Sequence, residues 1–241
     1  MIFTTNQEKI TKRIKKTKWE DWTWQIRHTI KTLKQFEELT GIKFAEEEKN
    51  ILEETIRKFP LSITPYYLSL IDLNNYKNDP VYLQSFPSPK EMDICPHEMS
   101  DPLSEDKDSP APYLTHRYPD RVLLHVSNLC SMYCRHCTRK RKVGDRDSIP
   151  GFEELEKAFN YIETNSKVRD VLLSGGDPLM LSDDYLDKIL NRISQIPHVE
   201  VIRIGTRMPV VLPYRITTKL IKVLKSISLF ISILISIIRE K

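Results

Sequence analysis

Three cysteines in the middle of the chain have the type and spacing expected of a metal-binding loop. Cys130, Cys134 and Cys137 occur in the segment CSMYCRHC, so three thiols fall within one short stretch. A structural zinc site needs four ligands, and His136 or His125 could supply the fourth. Zinc sites usually combine two C-x2-C pairs, however, and the sequence has no second pair.

An iron–sulfur cluster is the other centre that such thiols could bind. A cubane cluster usually takes four cysteine ligands, so three would leave one iron with an open coordination position. A catalytic centre needs such a position. The remaining cysteine, Cys95, lies far away in a Pro-rich segment. The spacing therefore favours an open 4Fe-4S cluster, with zinc as the alternative.

Composition limits the class of protein that must position these thiols. The chain has 241 residues, of which 40% are hydrophobic, enough for one large domain or one domain with an added segment. Its net charge of +4 is too small to indicate a nucleic-acid partner. Four cysteines in this length exclude a disulfide scaffold. The first residues are polar and basic with no apolar stretch behind them, so no secretory signal is predicted.

The hydrophobic pattern of the second half predicts alternating strands and helices with short connections. We predict strands at 122–126, 171–173 and 199–204, and helices at 152–162, 183–193 and 217–224. This alternation is typical of a parallel α/β sheet or barrel. In such folds chemistry gathers at the C-terminal ends of strands, and the segments there are the cysteine loop, SGGD and GTR.

The first half of the chain has a different pattern. A basic stretch ending at Lys18 is predicted to be a solvated helix or a disordered arm. The segment WEDWTWQIR favours a helix that docks onto something larger. An amphipathic helix is predicted at 46–59, ending before Pro60. The Pro- and Asp-rich residues 74–112 are predicted to form an extended loop that wraps a surface.

The C-terminal segment 226–238 differs from the rest of the chain. It reads SISLFISILISII and contains no charged residue. It is shorter than the ~20 residues of a membrane helix and longer than a typical strand of ~5–6 residues. Three interpretations remain open, namely a buried terminal element, a short tail anchor and a segment that is not native to the fold.

The motif C-x3-C-x2-C, placed after the first strand of an α/β unit, resembles that of the radical S-adenosylmethionine superfamily. The resemblance implies that Cys130, Cys134 and Cys137 bind a 4Fe-4S cluster whose open iron chelates S-adenosylmethionine. The segment LLSGGDP looks like the superfamily's glycine-rich motif, and its glycines let a ligand approach the backbone closely. The implied S-adenosylmethionine residues are Ser174, Gly175, Gly176, Asp177 and His136.

Longer segments resemble lysine 2,3-aminomutase and its near relatives, from about Trp19 to about Lys225. They include WEDWTWQIR, LTHRYPDRVLL, CSMYCRHCTRK, VRDVLLSGGDPL and IPHVEVIRIGTRMPVVLPYRIT. The resemblance implies an α/β fold, a partial TIM-type barrel preceded by an N-terminal helical region. It divides the chain into a helical region with its wrapping loop (1–112), the first half of the barrel (113–225) and a non-family Ile/Ser tail (226–241).

The resemblance also implies an isomerase. Family members move an amino group between the α and β carbons of an amino acid, using the adenosyl radical and pyridoxal phosphate, which the protein positions. Arg117, Tyr118 and Arg121 match positions that contact pyridoxal phosphate, and Arg139 matches the position that meets the substrate carboxylate. A planar guanidinium suits both anions, because it forms bidentate, charge-assisted hydrogen bonds. A solvated basic turn is the alternative for residues 139–142.

The family sequences continue beyond the part that this chain resembles. That later part of the family sequences contains three groups of functional residues. They are the lysine that binds pyridoxal phosphate covalently, the acidic residues that select the substrate side chain and the cysteines of a structural zinc site. We therefore assign no catalytic residue and expect an inactive or impaired fragment. A frameshift near Ser226 would explain the tail. Codons chosen for ILISIIREK, ATA CTC ATT TCA ATC ATC CGA GAA AAA, read two bases later as THFNHPRK, which begins with the family's THFNHP.

The expected substrate is lysine, and the alternatives within the family are glutamate and a protein-lysylation role on free lysine. The alternative from another class is a non-catalytic zinc- or cluster-binding module with the tail as a membrane anchor. The expected partners are a small-molecule amino acid and an electron donor such as flavodoxin or ferredoxin, without nucleic acid or membrane. A homo-oligomer is expected only if the fold is completed. An oxygen-sensitive cluster and reduced thiols predict a cytoplasmic location.

Overall fold

The computed structural model describes residue 10 and residues 18–93, 95–143, 149–227 and 230–234. Nearly all of the predicted basic arm and much of the Ile/Ser tail therefore lie outside the described residues. Within these ranges, no helix is long and apolar enough to cross a lipid bilayer.

Short helices with well-formed ends make up the N-terminal region. The described helices before the sheet are α1 (Trp22–Arg27), α2 (Leu33–Thr40), α3 (Glu46–Lys58), α4 (Pro65–Leu68) and α5 (Pro80–Ser85). The ends of α2 show why it starts and stops, since Thr32 and Gln35 form a capping box and Gly41 follows with a φ of 81°. The bounds of α3 confirm the helix predicted to end before Pro60.

The extended loop predicted for residues 74–112 is partly wrong. Helix α5 and 3-10 turns at Tyr76–Asn78 and Pro89–Met92 interrupt it. Each proline at the start of α5 and of the second turn occupies a first helical position, where a missing N–H has no cost. The side chains of Asp79 and Ser88 cap these two starts. The Asp-Pro and Ser-Pro pairs are therefore helix starts.

The second half of the described chain contains a single five-stranded sheet. Its strands, in spatial and chain order, are β1 (Leu114–Tyr118), β2 (Arg121–Ser127), β3 (Asp170–Gly175), β4 (Val201–Gly205) and β5 (Phe230–Leu234). Strands β2 to β5 are parallel, whereas β1 is antiparallel to β2. The predicted α/β fold behind a helical region is confirmed. Strand β1 escaped prediction because only its first two residues, Leu114 and Thr115, are buried.

Helices connect the parallel strands and cover one face of the sheet. They are α6 (Phe152–Thr164), α7 (Asp183–Ser194), α8 (Met208–Val211) and α9 (Thr218–Ser226). Ser182 is the N-cap of α7, and its side chain accepts a hydrogen bond from the Tyr185 amide. Val122 and Leu124 of β2 are buried in one core with Phe159 of α6. Leu123, on the opposite face of β2, is half-buried and lines a cavity.

Buried polar contacts join the N-terminal helices to the sheet region. The Thr64 hydroxyl donates to the Val211 carbonyl at 2.8 Å. The fully buried guanidinium of Arg215 donates to the Leu179 carbonyl at 2.8 Å and lies 4.7 Å from the ring centroid of Trp22. The helical region is therefore packed against the loops that follow the strands, where the predicted site residues lie.

Candidate active site

A cavity of about 430 Å³ opens at the C-terminal ends of β2, β3 and β4. Its wall combines all three segments in which chemistry was predicted. The residues concerned are Cys130, Cys134, Cys137, Ser174, Gly175, Gly176, Asp177, Thr206 and Arg207. Because parallel strands end at the same edge of a sheet, the fold brings these sequence-distant loops together.

The donor set of this cavity suits iron–sulfur ligation. All three cysteines line this cavity, and they also line a smaller one of about 280 Å³ next to Phe59; neither His125 nor His136 is part of the described lining of either cavity. In the described part of the chain, no three Cys, His, Asp or Glu side chains are grouped closely enough to hold a single metal ion, whereas the cysteines of a cubane cluster each bind a different iron. Sulfur without a fourth imidazole ligand fits an open cluster better than a closed zinc site.

The two glycines of the SGGD loop allow it to lie directly against the start of the cysteine loop. Gly175 has a φ of 111°, a conformation that favours glycine. A Cβ on Gly176 would lie 2.3 Å from the Leu129 carbonyl oxygen, far inside van der Waals contact. The Gly176 amide donates to the Ser127 carbonyl oxygen at 2.5 Å. The backbone itself therefore forms this wall of the cavity.

Asp177 holds the SGGD loop to the loop after β4. Its carboxylate accepts hydrogen bonds from the Thr206 hydroxyl at 2.6 Å and from the amides of Leu179 and Arg207 at 3.0 and 2.9 Å. Burial raises the pKa of Asp177, and these hydrogen bonds lower it in part. Asp177 lines the predicted S-adenosylmethionine cavity, but its carboxylate is used within the protein.

Arg207 is a site residue that the sequence analysis did not assign. Its Nη1 donates to Cys134 Sγ at 2.9 Å, and its Nη2 donates to Gln84 Oε1 at 2.8 Å. Burial raises the pKa of the Cys134 thiol, and the Arg207 guanidinium opposes this shift. The one feature of the sequence that pointed to Arg207 was the position of GTR at the end of a predicted strand. That position predicts a loop near the site, but it does not predict which side chain Arg207 contacts.

Residues of the N-terminal region form ion pairs and hydrogen bonds with the cysteine loop. Arg135, on this loop, forms an ion pair with Glu91 at 2.6 Å and donates to the Pro60 carbonyl at 3.1 Å. Its backbone amide donates to the Gln84 carbonyl at 2.9 Å. Lys140 reaches the same Glu91 carboxylate at 2.6 Å. The conformation of the cysteine loop therefore depends on residues from the helical region.

The predicted pyridoxal phosphate residues line a second cavity, of about 200 Å³. It lies on the face of the sheet that carries Leu123, Leu172 and Arg203. The charged residues of its lining are Glu105, Arg117, Arg121, Arg139, Asp170 and Arg203. Four cations against two carboxylates give a lining that suits a phosphate dianion. Tyr118 also lines this cavity and is largely exposed.

Each predicted arginine of this cavity already has an acidic partner. Arg117 pairs with Asp108 at 2.7 Å, and Arg121 pairs with its neighbour Asp120 at 3.0 Å. Arg139 pairs with Glu105 at 2.6 Å. Anions that bind here would share these arginines with the carboxylates.

Glu105 is the most buried of these carboxylates, with 4% of its surface exposed. Burial by itself raises the pKa of Glu105, but the hydrogen bond and charge of Arg139 outweigh it, so the pKa lies below its usual value. Glu105 is therefore ionised at neutral pH and holds Arg139 in the cavity wall.

The candidate ligands His125 and His136 and the fourth cysteine, Cys95, are not part of the described lining of the cluster cavity. His136 is exposed, and Cys95 is exposed in the region before β1. His125 is 5% exposed, with Nε2 at 3.2 Å from Thr115 Oγ1. Burial lowers the pKa of His125 to about 4, so this imidazole is neutral at pH 7. The structure thus brings together the predicted cysteines and the SGGD loop, but not His136.

Comparison with known proteins shows which proteins this chain is related to. The Radical SAM superfamily matches residues 124–237. An L-lysine 2,3-aminomutase of Methanococcus maripaludis is 56% identical over 221 residues, which are 90% of this chain and 51% of that protein. The chain is related to the radical SAM lysine 2,3-aminomutases. The superfamily match includes β5 and therefore extends beyond residue 225, where the sequence analysis placed the end of the barrel part. The division of the chain into domains stays a prediction.

Other relatives of the chain are similar over the same part. An L-lysine 2,3-aminomutase of Clostridium subterminale is 49% identical over 207 residues, 86% of this chain and 49% of that protein. A glutamate 2,3-aminomutase of Clostridioides difficile is 40% identical over 207 residues, 86% of this chain and 48% of that protein. The chain spans about half the length of the curated relatives it matches. The frameshift stays a prediction.

These relationships imply the cofactors of the protein. The superfamily implies a 4Fe-4S cluster and S-adenosylmethionine, and the aminomutase relatives imply pyridoxal phosphate. The residues present fit these groups, because three thiols line one cavity and an excess of arginines lines the other.

Proposed function

We propose that this chain is the cluster- and S-adenosylmethionine-binding part of a 2,3-aminomutase, an isomerase that moves the α-amino group of an amino acid to the β carbon. The observation that carries the proposal is the single cavity that three cysteine thiols share with the SGGD loop. When bound, the cluster with S-adenosylmethionine would supply an adenosyl radical for hydrogen abstraction, and pyridoxal phosphate would carry the migrating nitrogen.

The chain's own residues would bind and orient these groups. Cys130, Cys134 and Cys137 would ligate iron as thiolates. The backbone of Gly175 and Gly176 would border S-adenosylmethionine, since glycine lets a ligand approach the main chain closely. Asp177 and Ser174 lie in the same wall, and Asp177 keeps that wall in place through its hydrogen bonds to the next loop.

The second cavity would hold the anionic ends of pyridoxal phosphate and substrate. Arg117, Arg121 and Tyr118 would bind the phosphate, and Arg139 would bind the substrate carboxylate. Because Arg139 is paired with Glu105 at 2.6 Å, the carboxylate would share or replace that contact. The ion pair with Glu105 therefore controls how strongly Arg139 can bind the substrate carboxylate.

Lysine is the proposed substrate. The lysine aminomutases of the comparison are 56% and 49% identical to this chain, and the glutamate aminomutase is 40% identical. A flavodoxin- or ferredoxin-type protein is the proposed electron donor, and a homo-oligomer is proposed for the completed fold. We propose a cytoplasmic location for its oxygen-sensitive centre.

Anaerobic reconstitution of the chain with iron and sulfide tests this function. We expect about four irons per chain, and release of methionine and 5′-deoxyadenosine when the cluster is reduced in the presence of S-adenosylmethionine. Cys134→Ser should lose both properties. Cys95→Ser is the matched control, because that thiol is exposed and lies outside the cavity. Stoichiometric zinc without reductive cleavage would contradict the proposal.

A further inference from the structure

The guanidinium of Arg207 lies against one of the three cysteine sulfurs. Its Nη1 donates to Cys134 Sγ at 2.9 Å, while Nη2 donates to Gln84 Oε1 at 2.8 Å. The Arg207 backbone amide is held by the Asp177 carboxylate at 2.9 Å. Side chain and backbone are thus both fixed, and the sulfur contact does not depend on a mobile side chain.

The surroundings make the Arg207–Cys134 contact strong. Both residues are only half-exposed, and both line the cavity at the ends of the strands. A charge-assisted hydrogen bond in such a setting is shorter and stronger than a neutral one. Electrostatic interactions there are also less screened than on the surface. The neighbouring Cys137 Sγ receives a longer hydrogen bond, 3.4 Å, from the uncharged backbone amide of Arg139.

A cation that donates to a ligating thiolate has a defined electronic effect. It withdraws electron density from the sulfur and compensates the extra negative charge of a reduced cluster. Hydrogen bonds to the sulfurs and local charge are among the features that set the reduction potential of an iron–sulfur cluster. Groups that contact a metal's ligands tune the metal in the same way.

We propose that Arg207 is a positioning residue that raises the reduction potential of the cluster by donating a charged hydrogen bond to Cys134 Sγ. The inference rests on the proposed function, since it needs a cluster on the three cysteines. Gln84 orients the guanidinium toward the sulfur. The helical region therefore takes part in setting the redox properties of a centre whose ligands all belong to the sheet region.

The test compares the reconstituted full chain with Arg207→Gln and Arg207→Lys. Iron and sulfide content is measured first, and the midpoint potential is then measured by redox titration followed by electron paramagnetic resonance. We expect Arg207→Gln to hold the wild-type amount of iron with a midpoint potential shifted to more negative values. Arg207→Lys keeps a cationic donor and should show a smaller shift. Arg192→Gln is the matched control, because its guanidinium contacts Glu163 and Glu156 of α6 and does not line the cluster cavity.

The outcomes separate this inference from the proposed function. A wild-type potential in a fully loaded Arg207→Gln chain would overturn the inference and leave the proposed function intact. If Arg207→Gln loads poorly, Arg207→Lys decides the matter. A fully loaded lysine variant with a midpoint potential more negative than that of the wild type supports tuning, and one with the wild-type potential contradicts it. Poor loading of both variants assigns Arg207 a merely structural role. A wild-type chain that binds zinc and no iron would overturn both proposals.

Discussion

The Asp177 carboxylate accepts a hydrogen bond from the Thr206 hydroxyl at 2.6 Å, and this contact joins the loop after β3 to the loop after β4. Asp177 is 6% exposed, so its charge is stabilised by protein donors in place of water. Thr206 Oγ1 also accepts the Met208 amide at 3.0 Å, at the start of α8. One hydroxyl therefore connects the wall of the cluster cavity to the next helix.

Replacement of Thr206 by valine should destabilise the chain while it preserves the shape of the side chain. The variant leaves a buried carboxylate with one donor fewer, so we expect the free energy of unfolding to fall by about 1.5–3 kcal/mol. Thr164→Val is the matched control, because that hydroxyl donates to the Asn160 carbonyl at an exposed helix end. Urea unfolding measures both changes, and equal losses would contradict the role given to Thr206.

Alanine at Gly176 should damage the cavity wall, whereas alanine at Gly205 should be tolerated. The new Cβ at Gly176 would meet the Leu129 backbone oxygen at 2.3 Å, and backbone cannot move aside cheaply. We expect a loss of about 1–3 kcal/mol or more in unfolding free energy, with weaker binding of S-adenosylmethionine. The nearest atom to a Cβ at Gly205 is Ser174 Oγ at 3.5 Å, an ordinary contact. Urea unfolding compares the stability of the two variants, and equilibrium dialysis measures binding of S-adenosylmethionine to Gly176→Ala. Equal losses of stability in the two variants would argue against the close approach.

Glu91→Gln should weaken the cysteine loop and its cluster. The variant removes the charge that pairs with Arg135 and Lys140, each at 2.6 Å, and Arg135 is left largely buried with 9% of its side chain exposed. Loss of one partner of a buried pair costs about 3 kcal/mol or more. Iron content after reconstitution should fall together with stability. Glu38→Gln, in an exposed pair with Lys34 at 4.0 Å, should change neither quantity.

Stability should fall in mildly acidic solution because of His125. Its pKa is about 4 in the folded chain, against an ordinary value of 6.5, mainly because burial disfavours the charged ring. The unfolded chain therefore binds more protons between these two pH values, and stability is lost as the pH falls through that window. The loss is on the order of 3 kcal/mol.

The His125→Gln variant should remove most of this pH dependence between about pH 6.5 and 4, since glutamine does not titrate there. His198→Gln removes another imidazole, one that contacts the Ile162 carbonyl at 3.0 Å, and serves as the control. Urea unfolding at several pH values gives the slopes. A His125→Gln slope identical to that of the wild type would contradict the assignment.

Much of the local structure of the candidate site could be predicted because it depends on residues close together in sequence. Three thiols in one short loop predict a metal-binding function from their spacing alone. The strand before that loop and the helix cap at Ser182 follow from patterns within a few residues. The loop predicted across Pro80 and Pro89 was partly wrong because the same dipeptides start turns and helices.

The sequence by itself determined which chemical groups are present and which local segments carry them, namely a cysteine loop, a glycine loop and an alternation of strands and helices. Only the tertiary structure decided that Arg207 meets Cys134 and that Glu91 meets Arg135. These partners are far apart in the chain, and local spacing places no restriction on such pairs. They meet because parallel strands bring their C-terminal loops to one edge and the helical region packs against it.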